Sequence, residues 1–127
     1  MSSVLVDTSV WVDHFRYRNE ILVGLLAQDN ALTHPMVITE LACGTPPAPR
    51  LQTLRDIGML QYVRQATLEE VRELIERAGL YGQGCGLVDI ALLASTLMTP
   101  GTVLWTNDRR LGILAEKLGI AFRQVSH

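Results

Sequence analysis

A chain of 127 residues with 48% hydrophobic and 19% charged side chains is the size of one domain and apolar enough to bury a core without staples, which excludes intrinsic disorder. Two distant cysteines, Cys43 and Cys85, exclude a disulfide scaffold, and His14, His34 and His127 show no zinc spacing. Eleven basic against thirteen acidic residues give a net charge of −2, which lacks the basic footprint of a protein that holds nucleic acid by bulk charge, although ten of the eleven are arginine, the better reader of phosphate.

Val4-Leu5-Val6 is a short apolar run closed by Asp7-Thr8-Ser9, after which Val10, Trp11, His14 and Phe15 recur at helical spacing. This predicts strand, turn and helix, and the early charge leaves no room for a signal-peptide apolar region. A second helix is expected over 20–28, with Ile21, Leu22, Leu25 and Leu26 on one face, then a short strand over 31–33. Pro35 suits the first turn of a helix that runs through Val37, Ile38, Leu41 and Ala42 to Gly44, where Thr45-Pro46-Pro47-Ala48-Pro49 breaks it. A helix over 51–57 and a strand over 60–63 follow. Thr67 and Glu70 form a capping box for a helix with Leu68, Val71 and Ile75 inward, and its outer face of Glu69, Arg72, Glu73, Glu76 and Arg77 reads as solvated.

Four glycines in the eight residues 79–86 lead into an apolar helix over 87–98 and a strand over 103–105. Thr106-Asn107-Asp108 opens a last helix with Leu111, Leu114, Ala115 and Leu118 on one side and Gly119 as its stop, and 121–125 reads as a closing strand. The most apolar stretch, 90–98, is about half of the ~20 residues a membrane span needs, so a soluble cytoplasmic protein with no membrane role is expected. Alternating strands and helices over 1–127 predict a single α/β sandwich, with a mainly parallel central sheet and helices on both faces.

Four carboxylates occupy telling positions. Asp7 follows an apolar strand, and in open parallel sheets ligands gather outside the strands' carboxyl ends; Asp7 or Thr8 equally suits the cap of the next helix. Asp108 repeats the grammar of strand, hydroxyl residue, acid and helix, with a capping role again open. Asp89 is the only charge between Leu80 and Asn107, in the first turn of an apolar helix; there it serves either the helix dipole or a partner that offsets its burial. Glu40 sits on the edge of its helix's apolar stripe, an ordinary place for a surface residue. Together, four acids on four elements near one end of a sheet suggest a cluster for hard cations.

In order and spacing, Val4-Leu5-Val6-Asp7-Thr8-Ser9, Ile38-Thr39-Glu40-Leu41, Val88-Asp89-Ile90-Ala91 and Val103-Leu104-Trp105-Thr106-Asn107-Asp108 resemble PIN-domain nucleases. The opening Val6-Asp7-Thr8-Ser9-Val10-Trp11 and the length are similar to VapC toxins of bacterial toxin–antitoxin pairs. The resemblance implies a PIN-like fold and a Mg²⁺- or Mn²⁺-dependent endoribonuclease acting on RNA, dimeric, and silenced by a cognate antitoxin. It makes Asp7, Glu40, Asp89 and Asp108 the catalytic, metal-binding quartet, with Thr8, Ser9 and Thr106 as supporting hydroxyls. Where some relatives carry a fifth acid, Arg109, Arg110 and Leu111 follow, and the two arginines become candidate contacts for the RNA backbone.

Other acid-bearing α/β folds match less well. A receiver domain wants an early acidic pair and a lysine after a late strand, and the only lysine, Lys117, lies deep in the last helix. A haloacid-dehalogenase-like phosphatase wants Asp where Ser9 stands. Gly82-Gln83-Gly84-Cys85-Gly86 lacks both the spacing and the preceding strand of a dinucleotide loop. The rival of another class is a non-catalytic PIN-like module that acts through a protein partner.

Overall fold

A computed structural model describes residues 2–123. Four strands, β1 (Ser3–Val6), β2 (Ala31–Thr33), β3 (Gln61–Tyr62) and β4 (Thr102–Trp105), form one parallel sheet in the order β3-β2-β1-β4. Around it among the described residues are seven helices: α1 (Thr8–Arg16), α2 (Glu20–Ala27), α3 (Pro35–Cys43), α4 (Arg50–Gly58), α5 (Leu68–Ala78), α6 (Leu87–Met98) and α7 (Arg109–Lys117).

The strand order decides where a site can form. The chain moves outward from β1 to β2 to β3, then crosses back to place β4 on the other side of β1. Because parallel crossovers are right-handed, reversing the direction of travel carries the connecting helices to the opposite face. The two directions part between β1 and β4, and a crevice opens beyond the carboxyl ends of those strands. Register brings the two ends level: Val6 pairs with Trp105, so Asp7 and Thr106 leave the sheet side by side.

Strands covered on both faces must be apolar throughout. Val4, Leu5, Val6 and Leu104 are all essentially without solvent contact, and each such side chain contributes about 1.5–3 kcal/mol of burial. The apolar character of α6 has the same cause, since seven consecutive residues from Ile90 to Thr96 are buried. Trp11 belongs to this core as well.

Two strands differ from expectation. β3 is limited to Gln61 and Tyr62, both exposed at the sheet edge, because its three-residue neighbour β2 offers little to pair with; Val63 adds one more bond to Thr33 O at 3.1 Å. The closing strand reduces to a single parallel bridge of Leu104 with Ala121, flanked by Leu104 N–H to Ile120 O and Phe122 N–H to Leu104 O. The rest of that segment, 124–125, lies outside the described residues.

Candidate active site

Asp7 stands at the N-cap position of α1, with extended φ −70° and ψ 156°, yet its side chain makes no capping bond. Its Oδ2 instead accepts from Ser9 Oγ and from Thr106 Oγ1, both at 2.7 Å. Each hydroxyl is held in turn from behind. Ser9 Oγ accepts from the Asn107 N–H at 2.9 Å, and Thr106 Oγ1 accepts from the Asp108 N–H at 3.0 Å. The turns after β1 and β4 are thereby knitted into one unit around a carboxylate that is only 5% exposed and has no ion-pair partner among the described residues. A buried acid held by hydroxyls rather than by a cation keeps its negative charge available to a ligand.

Glu40 enters from α3. Thr8 Oγ1 donates to Glu40 Oε1 at 2.8 Å, tying the first residue of α1 to a helix 32 positions away in sequence. Asp108 keeps its capping role, because Oδ1 accepts from the Leu111 N–H at 2.9 Å. That bond leaves Oδ2 for other work and fixes the direction in which it points.

Asp89 reports on the whole group. It lies half-buried in the first turn of α6. Burial pushes its carboxyl above the usual range, and the charges of Asp7, Asp108 and Glu40 push it further, against a weaker pull from the Gly86 backbone. Asp89 therefore lies within reach of the charge of the other three acids. Direct contacts join Asp7 to Ser9 and Thr106 and Glu40 to Thr8, while the side chains of Asp89 and Asp108 bond to neither group.

The two arginines part company. Arg109 borders a shallow depression with Glu116, Ala121 and Phe122, whereas Arg110 lies across Gly84 in the glycine-rich loop. Cys85 stands beside it. Burial, then Asp89 and Asp108, push its thiol upward, while Arg110 pulls the other way.

One polar knot escaped the sequence reading. His34 is buried and caps α3, its Nδ1 accepting from the Met36 N–H at 3.0 Å. That bond assigns the ring proton to Nε2, which faces Ser95 Oγ at 3.2 Å, and the same hydroxyl accepts from the Ala66 N–H. His34 thus locks the helix carrying Glu40 against α6, which carries Asp89. The available signal was a histidine directly before a proline that opens a helix.

The PIN-domain family model matches residues 4–117, a span that contains all four acids. The chain belongs to the PIN-domain family. Ribonuclease VapC32, from two strains of Mycobacterium tuberculosis, is 40% identical to this PIN domain over 121 residues, covering 95% of the chain and 97% of each relative. This is a PIN domain of the VapC type.

A donor set of the four expected carboxylates, with no thiolate or imidazole, would suit a hard divalent ion such as Mg²⁺ or Mn²⁺ better than zinc or copper. Among the described residues, no three His, Cys, Asp or Glu side chains already stand in a ready-made ion-gripping cluster. The hydroxyl cradle of Asp7 and the charge crowding at Asp89 nevertheless match a place where a cation relieves the strain.

Proposed function

We propose that this VapC-type PIN domain is a metal-dependent endoribonuclease that hydrolyses RNA phosphodiester bonds and serves as the toxin of a toxin–antitoxin pair. The observation that carries the reading is Asp89, a half-buried acid that feels the charge of three others, none of which forms a salt bridge among the described residues. Holding four like charges together costs stability, and a site that binds divalent ions gives them a purpose. The ribonuclease name of the VapC32 relatives points the same way.

Asp7, Glu40, Asp89 and Asp108 would hold Mg²⁺ or Mn²⁺. A bound divalent ion supplies a lowered pKa for an attacking water and stabilises charge on the phosphate oxygens. The protein's own part is positional. Ser9 and Thr106 fix Asp7, Thr8 fixes Glu40, and the capping bond fixes Asp108, so three ligands need little reorganisation on loading. No side-chain nucleophile is called for. In the cell the chain would act in the cytoplasm as a homodimer, silenced by a cognate antitoxin protein.

Purified chain should cleave RNA in Mg²⁺ or Mn²⁺ and stop in EDTA. Expression alone should arrest growth, and co-expression of the cognate antitoxin should restore it. Cleavage undiminished by EDTA contradicts the metal mechanism, and harmless accumulation of folded chain contradicts the toxin role. A chain that binds RNA and never cuts it would be the non-catalytic module.

A further inference from the structure

Resting on the ribonuclease reading, we propose that Arg110 is the residue of this chain that holds an RNA phosphate beside the acidic site, and that Gly84 exists to position it. Gly84 has φ +84°, a left-handed conformation that side-chain-bearing residues rarely adopt. A Cβ built there would lie 2.8 Å from Arg110 Nη1, 2.9 Å from Cδ and 3.2 Å from Cζ. The arginine therefore lies directly against the loop backbone at Gly84, and any larger residue there would displace it.

Arg110 comes two residues after Asp108, and Gly84 comes five before Asp89, so the arginine bridges the turn after β4 and the loop that enters α6. It forms no salt bridge among the described residues. An exposed guanidinium, unpaired among the described residues and two positions from Asp108, has the chemistry to bind a phosphate oxygen with two parallel N–H donors. The partner is a phosphate neighbouring the scissile one on the same strand. In a chain of net charge −2, one placed cation does what a basic surface does elsewhere.

The test measures binding of a fluorescein-labelled pool of short random-sequence single-stranded RNA in Mg²⁺ at several salt concentrations, together with cleavage of total bacterial RNA. Arg110→Ala should weaken binding about tenfold and lower the slope of log affinity against log salt by about 0.7, the signature of one lost phosphate contact on a single strand. Arg110→Lys should restore the slope and part of the affinity, and Arg72→Ala, an equal charge loss on the outer face of α5, should change neither. Gly84→Ala should behave as Arg110→Ala does, and the double variant should be no worse than either, because both changes remove the same contact.

Arg110→Ala that binds and cleaves like wild type overturns the inference and leaves the ribonuclease reading standing. Slope loss in Arg72→Ala equal to that in Arg110→Ala overturns it as well. Wild-type chain that neither binds nor cleaves RNA overturns the ribonuclease reading, and the inference falls with it.

Discussion

At the residue scale the division of labour among the acids is set by who donates to them. Asp7 is buried with two hydroxyls on one oxygen, and hydrogen bonds to a charged group are worth about 1.5–3 kcal/mol when intact. Thr106→Val keeps the shape, deletes the donor to Asp7 and strips the Asp108 N–H of its acceptor. It should therefore lower unfolding stability by about 2 kcal/mol in denaturant titrations and cut RNA cleavage sharply. Asp89 behaves in the opposite sense. Its folded pKa is raised, so the folded state binds the extra proton, and stability present below the ordinary carboxylate range is lost as pH rises through the raised value. In EDTA, Asp89→Asn should be as stable as wild type or more stable at neutral pH, with the advantage vanishing in acid. A variant that melts lower at neutral pH would mean that Asp89 chiefly serves the dipole of α6.

Helix caps govern the element scale, and two of them make separable predictions. The capping box of Thr67 and Glu70 holds the start of α5, outside the acidic site, so Thr67→Ala should cost about 1 kcal/mol and leave cleavage unchanged. The His34 cap holds the start of α3, the helix that carries Glu40. Burial lowers its pKa, so the neutral ring is the folded form, and stability present above about pH 6.5 is lost as pH falls through the lowered value. His14, lowered by burial and by Arg18, adds to the same loss. His34→Asn, which supplies a capping oxygen without a titrating ring, should flatten the stability profile between neutral pH and pH 5; an unchanged profile would assign the loss to His14 and the carboxylates.

Elements were legible in the sequence wherever a local rule sufficed. The apolar run of α6, the Pro35 start of α3 and the Thr67 box each lie where the sequence places them. Asp7 and Asp108, identical by strand-turn-helix grammar, differ in the structure: only Asp108 caps, because only Asp7 meets a hydroxyl from the neighbouring strand's turn. That difference depends on β1 lying beside β4, which no local pattern states. The His34–Ser95 contact spans 61 residues and was invisible for the same reason. The short β3 follows from the length of its partner rather than from its own residues.

On the scale of the whole molecule, the fold spends its topological switch point on negative charge. Parallel strands of continuous apolar sequence fix the register, the register aligns Asp7 with Thr106, and α3 and α6 bring Glu40 and Asp89 to the same end. Such an arrangement should gain stability from any cation that neutralises it, by mass action on the folded state. The melting temperature of wild type should rise with Mg²⁺ or Mn²⁺, and that of Asp89→Asn should rise much less.

The most direct test combines that charge with the chemistry. Wild type and Asp89→Asn are incubated with RNA in Mg²⁺ and in excess EDTA, and cleavage products are resolved on a gel. Products from wild type in Mg²⁺ alone, with none from the folded variant under either condition, are the predicted result. Cleavage that survives EDTA, or that survives the loss of the Asp89 charge, would contradict a site built from four converging carboxylates.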